Sequence, residues 1–208
     1  MFVGHYGVSF AAKRFEPQLP LWVLFVAVQL LDVVWSPLVL LGVEKVRIVP
    51  GITASNPLDL YYMPYTHSLV AACVWSLAAL VIYRVVTHAK RWTPSIVLAV
   101  AVLSHWILDF IVHRPDLPLY DNSAKVGLGL WNVAPVAFGL ETAILFGGMY
   151  LYLRTGTSRR LPMVLFGIIM LAIQAYVFFG PPPASPAAAA ATALAAYVVF
   201  ALIVARLG

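Results

Sequence analysis

The sequence predicts an all-α protein, a polytopic membrane helix bundle of about six transmembrane helices with a short N-terminal half-helix. Two observations support this class. Of the 208 residues, 62% are hydrophobic and 10% are charged, whereas soluble domains have about 45–50% apolar and about 25% charged residues. The apolar residues also form runs of roughly 20, the length that crosses a bilayer. A soluble fold of this size could not bury so much apolar surface, so we expect lipid to cover part of it.

Six apolar stretches are long enough to span a membrane, and we expect one integral membrane domain over residues 1–208. The stretches lie near residues 21–42, 67–87, 93–113, 128–153, 161–180 and 186–206. The segment 180–183, Gly-Pro-Pro-Pro, separates the last two and predicts a tight turn. An alanine run opens the sixth stretch and favours a helix. Residues 1–15 are apolar but too short to span, so they predict the half-helix.

The basic residues predict the orientation of the bundle. Of the 13 Lys and Arg residues, one side of the six spans receives nine and the other receives four. The nine are Lys13, Arg14, Arg84, Lys90, Arg91, Arg154, Arg159, Arg160 and Arg206; the four are Lys45, Arg47, Arg114 and Lys125. The positive-inside rule therefore places both termini in the cytoplasm and the loops 43–66 and 114–127 outside.

The same distribution excludes one class of function and one targeting signal. The basic residues form no stripe with interleaved aromatic residues, so we exclude nucleic-acid binding despite the formal charge of +5. Lys13 and Arg14 follow the first short apolar stretch rather than precede it. A signal peptide has the opposite order, so we expect none here.

Ionisable residues within the apolar runs predict a functional site. Asp32, His105, Asp109 and Glu141 lie inside spans, and His67 lies at the outer end of one. Such residues are costly in lipid and usually face the interior of a bundle. At a helical rise of about 1.5 Å per residue, the first four reach similar depths between the midplane and the outer leaflet. His5, in the half-helix, reaches the same layer, and His67 lies just above it.

The spacing within the third span indicates metal binding. His105 and Asp109 are four residues apart and share a helix face, and His113 lies near that face at the next step. Imidazole and carboxylate groups together bind a divalent cation, and the cation offsets the cost of burying the carboxylate. Without a cation, several acids in one dry layer would repel each other and take up protons. We therefore predict a shared site that includes Asp32, His67, His105 and Asp109.

Simpler interpretations apply to several of these residues. A lone histidine in an apolar helix is more often packed and hydrogen-bonded than a ligand, and His88, at a basic helix end, fits that description. His113 is either an interfacial residue or a group that supports the site. Asn132 either caps a helix or lines the site. Glu141 is either a catalytic base or part of a structural network with a histidine.

The residues around these positions resemble a known family. The order is Gly4-His5, then Leu30-Leu31-Asp32, Tyr65-Thr66-His67-Ser68-Leu69, Ser104-His105-Trp106-Ile107-Leu108-Asp109, and Pro118-Leu119. Over roughly residues 1–120 this resembles the YdjM-type family of inner-membrane proteins, described as membrane-bound metal-dependent hydrolases. The resemblance implies a bacterial inner-membrane location. It also implies that the metal ligands are His5, Asp32, His67, His105 and Asp109.

The predicted function is hydrolysis within the membrane. One or two divalent ions, expected to be Zn²⁺, would activate a water molecule for attack on an amphiphilic, lipid-like ester or phosphoester. Glu141 would be the catalytic base. Ser68, Ser104, His113 and Asn132 would support the ligands through hydrogen bonds. Two alternatives stay open, namely an ion or proton pathway that uses the same residues and a non-catalytic scaffold stabilised by metal. Membrane lipid is the expected partner.

Overall fold

The computed structural model describes residues 1–156 and 159–208 and confirms an all-helical membrane bundle. The N-terminal helices are α1 (Val3–Phe15), α2 (Leu21–Val28) and α3 (Leu30–Leu40). The longer helices are α4 (Leu69–Thr87), α5 (Thr93–Val112), α6 (Ala134–Leu153), α7 (Arg160–Phe179) and α8 (Pro186–Leu207). A 3₁₀ turn at Leu130–Asn132 precedes α6. Helices α4 to α8 are each long and apolar enough to cross a membrane.

The predicted first span, 21–42, is two helices rather than one. Helices α2 and α3 meet at Gln29 with a bend of 54°, and together they also pass as a candidate span. Gln29 has φ −107° and ψ 9°, outside the helical region, and its side chain donates a hydrogen bond to the Phe2 carbonyl, 3.2 Å away. The bend makes Val28 the last residue of α2 and places Asp32 in the first turn of α3.

Helix α1 lies inside the bundle rather than on its surface. Its 13 residues span about 20 Å at the usual helical rise. This is roughly half of the thickness of a bilayer with its headgroups, about 40–45 Å. It packs on α2, α5, α6 and α7. Tyr6 and Phe10 are fully buried in the core. The half-helix predicted over residues 1–15 is therefore a central element of the fold.

Exposed apolar side chains cover the outside of the spanning helices. On α4, Val74, Leu77 and Ile82 each have more than half of their surface exposed, at 61%, 62% and 61%. Water would penalise such a surface, whereas lipid would cover it without cost. The chain is thus consistent with an integral membrane protein.

The segment between α3 and α4 contains a small sheet that the loop prediction for 43–66 did not include. Strands β1 (Lys45–Ile48) and β2 (Leu58–Tyr62) pair antiparallel, with Arg47 opposite Asp59. The Arg47 guanidinium donates through Nε to Asp59 Oδ2 at 3.0 Å. The hairpin lies at the same end of the bundle as the loop that follows α5, because Lys125 donates to the Tyr61 carbonyl at 2.7 Å.

Candidate metal centre

The five predicted ligands converge from four parts of the chain. His5 lies on α1 and Asp32 in the first turn of α3. His67 lies two residues before the start of α4, and His105 and Asp109 lie on α5. They form two overlapping groups, His5 with His105 and Asp109, and Asp32 with His67 and His105, whose ligand atoms lie within 4.8 Å of one another. This buried His/Asp cluster could hold a metal ion.

Asp109 lies at the centre of the cluster. Its Oδ2 atom is 3.1 Å from His105 Nε2 and 3.8 Å from His67 Nε2. Its Oδ1 atom is 3.2 Å from His5 Nε2 and also accepts a hydrogen bond from the α-amino group of Met1. The carboxylate is 2% exposed, so positive charge or hydrogen bonds must compensate for its burial.

Asp32 approaches the same histidines from the other side. Its Oδ1 atom is 3.3 Å from His67 Nε2 and 3.8 Å from His105 Nε2. Its Oδ2 atom accepts a hydrogen bond of 2.8 Å from the hydroxyl of Tyr197, on α8. The hydroxyl fixes one carboxylate oxygen and leaves the other directed at the imidazoles.

The hydrogen bond on the far side of the His105 ring determines which nitrogen carries a proton. Nδ1 lies 2.7 Å from the Val28 carbonyl oxygen. A carbonyl oxygen can only accept, so in the neutral ring Nδ1 carries the proton and Nε2 carries a lone pair. Nε2 is buried and has no hydrogen-bond partner among the described residues, although a carboxylate oxygen lies 3.1 Å away. A lone pair facing an anion at that distance is unfavourable, so either Nε2 also carries a proton and pairs with the carboxylate, or a metal ion lies between the two atoms.

His5 has the same deficiency. Both of its ring nitrogens are buried without a hydrogen-bond partner in the described part of the chain. Its ring stacks on His105 with centroids 3.9 Å apart and an angle of 7° between the planes. The imidazoles of His5 and His105 therefore fit a metal ion better than they fit a purely hydrogen-bonded core.

Two residues outside the predicted set orient His67. Thr66 Oγ1 lies 2.6 Å from Glu44 Oε2 and 2.7 Å from His67 Nδ1. The hydroxyl donates its one hydrogen to the carboxylate, so its oxygen accepts from His67 Nδ1–H and leaves the Nε2 lone pair for the cluster. Glu44 Oε1 also accepts from the backbone N–H groups of Tyr65 and Thr66, at 2.8 and 3.0 Å. Burial raises the pKa of the Glu44 carboxyl, whereas His67 and these hydrogen bonds oppose that shift.

Glu141 lies beside the cluster but belongs to neither ligand group. Its Oε2 atom accepts from the backbone N–H groups of Phe2 and Gly4, at 2.8 and 3.3 Å, and so holds the start of α1. Its Oε1 atom is buried without a partner among the described residues. The carboxylate thus has one anchored oxygen and one available oxygen.

The four predicted supporting residues occupy different environments. Ser68 caps α4 by accepting from the Ala71 N–H and donates to the Pro64 carbonyl. Ser104 donates to the Ala101 carbonyl within its own helix, and Asn132 is exposed in the 3₁₀ turn. Of the four, only His113 points at the cluster, with Nε2 3.6 Å from Asp109 Oδ2.

A cavity of about 540 Å³ leads from the cluster to the surface. Its polar end is lined by Asp32, His67, Asp109, His113 and Glu141, and its apolar walls on α7 and α8 include Ile173, Val177, Ala193 and Ala196. Tyr176 and Val177 line it and are also 64% and 50% exposed. The cavity therefore reaches the surface beside α7, near the turn at 181–184, which also lines it.

No family model, curated protein or solved structure matches this chain. The relationship to the YdjM-type family thus stays a prediction from the motifs. The arrangement of the side chains is therefore the guide to function.

Proposed function

We propose that this protein is a membrane-embedded, metal-dependent hydrolase that acts on an amphiphilic ester or phosphoester. One observation carries the proposal: a buried His/Asp cluster lies at one end of a cavity that has apolar walls on α7 and α8, two candidate membrane-spanning helices. A scaffold site has no need of such a cavity. The apolar walls of the cavity fit the tail of an amphiphilic substrate, and its polar end fits the hydrolysable group.

The donor set favours Zn²⁺ bound by His5, Asp32, His67, His105 and Asp109. Zn²⁺ binds imidazole nitrogen and carboxylate oxygen at about 2.0–2.1 Å, so neighbouring ligand atoms in a tetrahedron lie about 3.3–3.4 Å apart. The nitrogen–oxygen separations within the cluster run from 3.1 to 3.8 Å. Small side-chain movements would bring these separations to the values that one or two bound ions require.

The chain's own groups supply positioning and proton transfer. A divalent ion held here would activate water and polarise the carbonyl or phosphoryl oxygen of the substrate. Glu141 lines the same cavity, and its Oε1 atom has no partner among the described residues, so it is the group available to accept the proton of the attacking water. The apolar walls of α7 and α8 hold the substrate tail and keep bulk water from the site.

We further propose that the protein resides in a bacterial inner membrane with both termini in the cytoplasm, as the basic residues predict. The hairpin β1–β2 and the loop after α5 then lie outside. In that orientation Tyr176 and Val177, near the C-terminal end of α7, border the cavity within the outer leaflet. The substrate would enter from that leaflet.

Elemental analysis of the detergent-purified protein tests the metal, and assays on neutral lipid esters and on phospholipids test the reaction. We expect bound zinc in the wild type, loss of the zinc in Asp109→Ala, and loss of hydrolysis in His105→Ala. His88→Asn is the matched control, because His88 is exposed in the loop after α4 and Asn tolerates its left-handed backbone at φ 50°. Purified wild type without metal, or full activity in His105→Ala, would overturn the proposal. Proteoliposome ion flux that depends on Asp32 and Glu141, without hydrolysis, would favour a transport pathway instead.

A further inference from the structure

We propose that His113 is a further ligand of this metal centre and that Asp116 is the positioning residue that orients it. The inference rests on the metal site of the proposed function, and it concerns a histidine that lies outside both ligand groups described above. The bound species would be a divalent metal ion that takes nitrogen and oxygen ligands.

The position of the His113 imidazole supports this role. His113 follows Asp109 by four residues, as Asp109 follows His105, so the three share one side of α5 and its end. His113 Nε2 lies 3.6 Å from Asp109 Oδ2, and its side chain is 3% exposed. Nε2 of His105 and Nε2 of His67 lie 3.1 and 3.8 Å from the same oxygen. Three imidazole nitrogens from two parts of the chain thus surround one carboxylate oxygen.

The hydrogen bond at Nδ1 leaves Nε2 of His113 free to bind a metal ion. His113 Nδ1 lies 2.9 Å from Asp116 Oδ1. The carboxylate accepts, so Nδ1 carries the proton and the lone pair of the neutral ring is at Nε2, which faces the cluster. His105 and His67 have the same arrangement, with Nδ1 bonded outward to the Val28 carbonyl and to Thr66. An outward acceptor on the distal nitrogen is the usual partner of a metal-bound histidine.

Neighbouring residues hold both His113 and Asp116 in place. Asp116 Oδ2 accepts from Arg114 Nε at 3.1 Å, and Arg114 also donates to Asp59 of strand β2. The His113 backbone N–H donates to the Asp109 carbonyl at 2.8 Å, and its carbonyl accepts from Gly129 N–H at 2.6 Å. The ring also packs on Trp131, with centroids 4.2 Å apart. A histidine that merely lay at the membrane interface would not need such confinement.

A buried ion pair between protonated His113 and Asp116 is the simpler alternative. Measurements of metal binding distinguish this ion pair from a metal-ligand role for His113. We would titrate Co²⁺ into the purified wild type, His113→Ala, Asp116→Asn and the control His88→Asn. The visible absorption of bound Co²⁺ reports the number and type of its ligands. We expect a changed visible spectrum and weaker binding in His113→Ala. We expect about 10–100-fold weaker binding in Asp116→Asn, the loss usual when the outer partner of a ligand is changed. The amide removes the negative charge, and its NH2 group must face either the Arg114 donor or His113 Nδ1, which disturbs the tautomer.

The outcomes distinguish this inference from the proposed function. Wild type that binds neither Co²⁺ nor Zn²⁺ would overturn both. Wild type that binds Co²⁺, together with His113→Ala and Asp116→Asn that match its spectrum and dissociation constant, would overturn the ligand role of His113 alone. Asp116→Asn conserves the shape of the side chain, so it carries the test if His113→Ala does not purify as a monodisperse protein.

Discussion

Gly148 on α6 faces Gly7 on α1 so closely that a Cβ atom at Gly148 would lie 1.9 Å from the Gly7 carbonyl oxygen. A Cβ atom at Gly7 would in turn lie 2.1 Å from the Ile144 carbonyl oxygen. The two backbones are therefore in direct contact, as small residues permit in membrane helix pairs. His5 lies two residues before Gly7, and Glu141 lies about two turns before Gly148. The glycine crossing thus helps to set the position of α1, whose first residues Glu141 holds through the N–H groups of Phe2 and Gly4.

Replacing Gly148 with alanine should displace α1. The added methyl group meets backbone atoms that cannot rotate away, and overpacking of this kind costs about 1–3 kcal/mol. We expect Gly148→Ala to lower the midpoint of thermal unfolding in detergent and to weaken metal binding. Gly147→Ala is the adjacent control, since a Cβ there would meet nothing within 4 Å. Equal midpoints in the two variants would show that the crossing is not tight.

Removing the hydroxyl of Thr66 should weaken metal binding without unfolding the protein. Thr66→Val keeps the shape of the side chain but removes the acceptor for His67 Nδ1–H, so the ring loses both its orientation and its fixed tautomer. We expect about a 10–100-fold rise in the zinc dissociation constant, measured by competition with a chromophoric chelator. Thr66→Ser should restore binding. Thr87→Val, near the other end of α4, should bind zinc like the wild type; an unchanged affinity in Thr66→Val would contradict the role of this hydroxyl.

The sequence predicts the long helices well because runs of apolar residues have one stable solution in lipid. Helices α4 to α8 coincide with predicted stretches to within a few residues, apart from the 3₁₀ turn and loop that occupy 128–133. The bend at Gln29 has no such signal, since neither Gly nor Pro marks it. It depends on tertiary contacts, including the hydrogen bond from Gln29 to the Phe2 carbonyl. The hairpin β1–β2 was missed because its strands have only four and five residues.

The candidate site is predictable where it depends on helical geometry. His105 and Asp109 share a face at any position of α5, and a constant rise per residue places them at the depth of Asp32. The partners behind the ligands are not predictable in this way. Tyr197 and Asp32 are 165 residues apart, and Thr66 and Glu44 are 22 apart. The packing of α8 on α3 brings the first pair together. The second pair meets where Glu44, before β1, accepts from Tyr65 and Thr66, before α4.

The proposed orientation predicts which positions a membrane-impermeant maleimide can reach from outside the cell. In a Cys73→Ala background, Ala184→Cys lies in the exposed turn between α7 and α8, on the predicted outer side. Thr155→Cys lies in the exposed segment after α6, on the predicted inner side. We expect labelling of Ala184→Cys in intact cells and of Thr155→Cys only after permeabilisation. The reverse pattern would invert the topology and move the cavity mouth to the inner leaflet.

Filling the apolar cavity should impair substrate binding and leave the metal centre unchanged. Ala196 on α8 lines the cavity, and a phenylalanine there would occupy space that we assign to the substrate tail. We expect Ala196→Phe to raise KM for long-chain substrates more than for short-chain ones, with normal zinc content. Ala195→Phe adds the same ring at an exposed neighbouring position that does not line the cavity, so its kinetics should match the wild type. If Ala196→Phe hydrolyses long-chain and short-chain esters as the wild type does, the substrate does not enter between α7 and α8.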